Sequence, residues 1–165
     1  MKKSLIILWL SSLLILSGCG WSGNVVEYND AFVAVVKDCT DSTQDLFNVF
    51  QAEDSTVDSI LQSLENSITI CKNSQSKASK LWDFDKDSSL KDAVVNLLST
   101  EIGYLQKFKN TSRYRNIDDI TEEDRVAYDW LVGELYVAEE SLNNQFSTLQ
   151  QTQELFAAKH GLKLE

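Results

Sequence analysis

Few side chains in this sequence have the chemistry for catalysis or metal binding. There is one histidine, His160, and there are three cysteines, Cys19, Cys39 and Cys71. Three aspartates alternate along LWDFDKDSSLKDAV as Asp83, Asp85 and Asp87. A hydrolytic triad needs a histidine beside an activated nucleophile, and no serine here sits on a glycine-flanked elbow. A di-iron bundle site needs two Glu-x-x-His motifs, but the residue three before His160 is Ala157. Haem attachment through C-x-x-C-H is absent, and Cys39 and Cys71 bring no further ligands at zinc spacing. The alternating aspartates stand as in the first half of a calcium loop. Position six of such a loop is glycine and is Ser88 here; position twelve is a bidentate glutamate and is Val94 here. The plainer reading is a solvated helix connection, with Asp87 or Ser88 as cap and Asp92 near the positive helix start. The acids at Asp118, Asp119, Glu122, Glu123 and Asp124 read the same way. The sequence therefore predicts a protein that is not an enzyme. It predicts no cofactor, and no metal beyond the calcium candidate at Asp83, Asp85 and Asp87.

Cys19 has a different chemistry. It follows Lys2, Lys3 and an apolar run over residues 5–16 broken only by Ser11 and Ser12. That run is shorter than the roughly 20 residues of a membrane span and has the build of a secretory signal. The residues Leu16, Ser17, Gly18 and Cys19 resemble the lipobox of bacterial lipoproteins. The resemblance implies a signal peptide over residues 1–18, its removal, and a lipid on the Cys19 thiol. Small residues let a peptidase reach the backbone, and only a thiol can take the thioether. Residues 19–24 would then be a short tether, and acyl chains at about 0.8 kcal/mol per buried CH2 would hold it on the membrane. Gly20 follows the cysteine. An aspartate at that place commonly retains such proteins at an inner membrane, so glycine points to an outer membrane or outer cell surface.

The elements behind these residues are helical throughout. A first segment over residues 25–51 carries Tyr28, Phe32, Val35, Cys39, Ser42, Leu46 and Phe50 at steps of three and four. A second over residues 56–82 carries Val57, Leu61, Leu64, Ile68, Cys71, Ala78 and Trp82, with Ser55 as its expected N-cap. A third over residues 89–113 carries Leu90, Val94, Leu97, Leu98, Leu105 and Phe108. A fourth opens at ITEED (120–124), where Thr121 and Asp124 make the capping pattern. It runs to His160 before Gly161 ends it. Its core stripe is Ala127, Leu131, Leu135, Ala138, Leu142, Leu149 and Phe156. His160 then falls in the last turn, where a cation favours the helix dipole. Proline is absent, and the connections are short. Long amphipathic helices with short connections predict an all-α, antiparallel up-down-up-down four-helix bundle over residues 25–165.

Cys39 and Cys71 test that arrangement. Residues at equal height in an antiparallel hairpin share a constant index sum, and the mean of 39 and 71 falls on the first connection. Both cysteines also lie on apolar faces, so a disulfide between the first two helices is expected in an oxidising compartment. The alternative is two buried free thiols, which cysteine tolerates.

YNDAFV at 28–33, LKDAVVNLL at 90–98, ITEED, and FAAKHGLKL at 156–164 resemble a family of small, all-helical bacterial surface lipoproteins of unassigned function. The resemblance implies the same address and fold, and it brings no catalytic residue.

The formal charge of −10 falls by two more units once Lys2 and Lys3 are removed. Such a surface repels nucleic acid and anionic headgroups. What remains is membrane attachment through the lipid and a protein-binding or structural role. A small-ligand carrier and an acidic immunity-type inhibitor of a basic toxin are the alternatives. One feature favours a protein partner. Beside the core stripe of the fourth segment runs a second apolar row, Val126, Trp130, Gly133 and Val137, extended by Tyr136. One amphipathic helix needs only one stripe. The other reading of this row is the flank of a wide stripe covering neighbouring helices.

Overall fold

The computed structural model describes residues 23–114 and 121–162. Four α-helices account for almost all of them: α1 (Gly23–Gln51), α2 (Val57–Ser79), α3 (Ser89–Ser112) and α4 (Glu122–His160). The fold is an all-α four-helix arrangement. α1 packs on α2, α2 on α3 and α3 on α4, so chain neighbours are spatial neighbours, while α1 also touches α3. The cross-links between α1 and α2 descend in one helix as they rise in the other. Asp38 pairs with Lys77 at 3.1 Å, and the Ser67 hydroxyl donates to the Ser42 carbonyl at 2.8 Å. α3 and α4 are joined by Lys107–Glu134, and Tyr114, two residues past the end of α3, meets the ring of Tyr128.

α3 is the most enclosed helix. Leu90, Val94, Leu97, Leu98, Leu105 and Phe108 are all buried, which is the stripe its spacing predicts. In α1 the core repeats at four and three through Val25, Asn29, Phe32, Val36, Cys39, Thr43 and Leu46, so polar Asn29 and Thr43 occupy core positions. α4 is less complete. Of its predicted stripe, Ala138, Leu149 and Phe156 are buried, while Ala127, Leu131, Leu135 and Leu142 are only half-buried.

Two local expectations are corrected. The N-cap of α2 is Thr56, not Ser55. The Thr56 hydroxyl accepts from the Ser59 amide and the Ser59 hydroxyl accepts from the Thr56 amide, each at 3.1 Å. Ser55 instead donates to the Val49 carbonyl and closes the α1–α2 turn. α2 also ends at Ser79, so Trp82 lies outside it, in the connection, and is exposed. The start of α4 is as expected: Thr121 accepts from the Asp124 amide at 3.1 Å. Its end is a Schellman-type cap, with Gly161 at φ 67° and the Leu162 amide donating to the Ala157 carbonyl at 2.9 Å.

Candidate functional site

The second apolar row of α4 lies on the outside. Val126, Trp130 and Val137 are 62, 65 and 64% exposed, and Tyr136 is 58% exposed. A Cβ placed on Gly133 would meet nothing within 4 Å. With Val126 as zero and 3.6 residues per turn, Trp130, Gly133 and Val137 fall within about 40° of it. Half-buried Leu131 and Leu135 fall on the opposite side, against the bundle. The flank of this row is acidic. Glu122, Glu123, Asp129 and Glu140 all lie within about 60° of Val126. Arg125 is the one base of α4 in this stretch, and it is paired with Glu122 at 2.7 Å. Glu134 is taken by Lys107 of α3.

The aspartates of the α2–α3 connection are each engaged by a different base. Asp83 pairs with Lys91, Asp87 with Lys159 at 2.6 Å, and Asp85 lies 3.9 Å from His160 Nδ1. Asp87 also accepts the Ser89 amide at 3.0 Å, capping the α3 start. The Lys159 and Ser89 hydrogen bonds hold its carboxyl well below the usual carboxylate range. The connection is a tight turn: the Asp87 amide donates to the Phe84 carbonyl at 2.8 Å, and Asp85 and Lys86 both have positive φ, at 50° and 61°. Two successive left-handed residues make a type I′ geometry, which lysine adopts at some cost. Aromatic packing holds it. Phe84 meets Tyr28, Phe156 and His160, with the histidine ring edge-on at 4.8 Å. His160 thus does more than occupy the last turn of α4: its ring closes the end of the helix onto the connection.

Cys39 and Cys71 form a disulfide with Cα atoms 4.6 Å apart, both fully buried. A carboxylate that the sequence reading missed lies beside it. Glu101 of α3 is buried, and one of its carboxylate oxygens and the two sulfurs lie within 4.8 Å of one another. The sulfurs are bonded to each other, so neither has a thiolate to offer a metal. Glu101 Oε1 accepts from the Thr43 hydroxyl at 2.7 Å, whereas Oε2 has no hydrogen-bond partner. Burial pushes its pKa up, and the Thr43 hydrogen bond only partly opposes this. The Asn29 amide and His160 Nε2 are also buried without a hydrogen bond. A signal for these residues existed. Glu101 stands four residues after Leu97 and four before Leu105, a core spacing, and Asn29 stands between Val25 and Phe32 in the same way.

Cys19, the signal peptide expected over residues 1–18, and Asp118 and Asp119 lie outside the described residues. Among those described, no helix is long and apolar enough to cross a membrane. Comparison with protein-family models, with curated proteins and with solved structures finds no match.

Proposed function

We propose that this chain is a membrane-anchored bacterial lipoprotein whose helical bundle docks another protein at the cell envelope and carries out no catalysis of its own. The observation that carries the docking role is the outward row of α4. Val126, Trp130, Tyr136 and Val137 are large apolar side chains that contribute little to the core, and exposed apolar clusters with a polar rim mark interaction sites. The position of the row agrees with a tethered domain. Phe156 meets Tyr28 near the start of α1 at 5.5 Å, and Trp130 lies about 39 Å away along the α4 axis at 1.5 Å per residue. A lipid on Cys19 would therefore leave the row at the end of α4 remote from the anchor, because α1 begins at Gly23 and residues 20–22 span at most ~11 Å.

The address rests on the Leu-Ser-Gly-Cys motif. Cys19→Ala should abolish metabolic lipid labelling and leave an unprocessed precursor; normal labelling in that variant would sink the lipoprotein reading. For docking, a photo-crosslinker at residue 130 in the native membrane should give a defined crosslinked protein, and its absence would count against a partner on this face.

A further inference from the structure

The kind of partner can be narrowed from the charges around the row. We infer that the outward face of α4 takes a basic amphipathic helix of another protein, whose apolar side lies on Val126, Trp130 and Val137 and whose lysines or arginines meet Asp129 and Glu140. This rests on the docking reading above and names the occupant of that same face.

Three observations carry it. The row repeats at steps of four, three and four (126, 130, 133, 137), which is the seam spacing of one helix lying along another. Gly133 sits in the middle of that seam with open space where a Cβ would be, so a partner backbone can come close. The rim is one-signed. Among the described residues Glu123, Asp129 and Glu140 have no ion pair, while the nearby base, Arg125, is already held by Glu122. A cationic side chain laid across Trp130 would add attraction to the ring face.

The same facts weigh against a second copy. An antiparallel pairing centred on Gly133 sets Val126 against Glu140 and Asp129 against Val137. Each contact would bury a carboxylate on an apolar group, which is costly without a partner charge. A parallel pairing sets Asp129 against Asp129 and Glu140 against Glu140, which like-charge repulsion opposes. An anionic membrane surface is opposed by the same rim.

The test uses the full chain in a neutral detergent and a labelled helical Leu–Lys peptide as probe. A scrambled peptide of the same composition and a Leu–Glu counterpart serve as controls, with binding read by fluorescence anisotropy. The Leu–Lys helix should bind and weaken as salt rises, while the scrambled and Leu–Glu peptides should bind at least tenfold more weakly. Trp130→Glu and the pair Asp129→Lys with Glu140→Lys should each weaken Leu–Lys binding at least tenfold, and the lysine pair should gain affinity for Leu–Glu. Asp45→Lys with Asp54→Lys, exposed acids of α1 and the α1–α2 connection, should leave binding within twofold. Circular dichroism should show the same helicity in all variants. Equal weakening by the distant pair, or equal binding of the scrambled peptide, would reduce the effect to bulk charge and overturn the inference. A concentration-dependent dimer lost in Trp130→Glu would overturn it in favour of a second copy. If the peptide fails to bind but the crosslink at residue 130 persists in cells, the partner chemistry is wrong and the docking reading stands; if both fail, the docking reading falls too.

Discussion

Over residues 149–160, α4 buries Leu149, Gln153, Phe156 and Ala157 and closes His160 onto Phe84. Over residues 126–137 the same helix has no fully buried residue and exposes Val126, Trp130, Tyr136 and Val137. Composition runs against the difference, since the earlier stretch is much the richer in large apolar side chains. Their neighbours explain it. The later half meets α1 through Tyr28 and the α2–α3 turn through Phe84 and Asp87, in addition to lying along α3. The contacts of the earlier half are with α3 through Lys107 and, just past the end of α3, with Tyr114. A helix resting on one neighbour can bury one stripe, so a second apolar stripe there adds nothing to the fold. Its presence in the earlier half and the clasp in the later half separate what the helix does for stability from what it offers to a partner.

The largest expected effect breaks the clasp. Phe156 is buried against Tyr28, Phe84 and His160, so Phe156→Ala should cost about 3–5 kcal/mol, as for other buried aromatics. Denaturant unfolding measures this. A loss below about 1 kcal/mol would mean that the two halves of α4 are equally dispensable to the fold.

Most of the helical frame was legible beforehand because it depends on period and punctuation. With no proline in the chain, the apolar spacing runs on until a cap interrupts it, and the caps at Thr121 and Gly161 are local chemistry. The Cys39–Cys71 bridge was legible because two equal heights in a hairpin reduce to an index sum. The α2 cap was missed by one residue because Ser55 and Thr56 are both capping types, and only the backbone decides which one has extended geometry. The spacing puts Trp82 on the apolar face of α2 because periodicity continues past the point where the helix stops, at Ser79. Glu101 and Asn29 were passed over because a polar residue at a core spacing reads as a break in the stripe. Their burial depends on what faces them: for Glu101, the Thr43 hydroxyl from α1.

A middle-sized effect sharpens the comparison from inside the bundle. The Glu101 pKa is raised in the folded chain by burial, so the folded state retains a proton that the unfolded state releases. The contribution of Glu101 to stability is then greatest below the ordinary glutamate pKa and falls as pH rises above it, until the folded pKa is passed. Glu101→Gln does not titrate and keeps an acceptor for Thr43. It should match the native protein near pH 4 and exceed its stability at pH 7 by roughly 1–3 kcal/mol, the cost of an incompletely satisfied buried polar group. Urea midpoints across that range measure the gap. A native protein that gains stability with rising pH relative to the variant would reverse the assignment. The outward row of α4 should be indifferent to this substitution, because Glu101 lies on the enclosed side of α3.

The smallest stability effect is the most telling. Trp130→Glu removes a large side chain that is mostly in water, so little apolar burial is lost. Glutamate forms helix slightly better than tryptophan. Against this, the new charge faces Glu134 four residues on, and a like pair at that spacing costs a few tenths of a kcal/mol, less because Lys107 already holds Glu134. The terms nearly cancel, and the unfolding free energy should stay within about 0.5 kcal/mol of the native value, as for surface substitutions generally. Phe156→Ala and Trp130→Glu both remove an aromatic ring from one helix, and their costs should differ at least sixfold. If Trp130→Glu instead cost several kcal/mol, the tryptophan would be part of the core. The contrast between the halves of α4 would vanish, and with it the reason for reading its outer face as a docking surface.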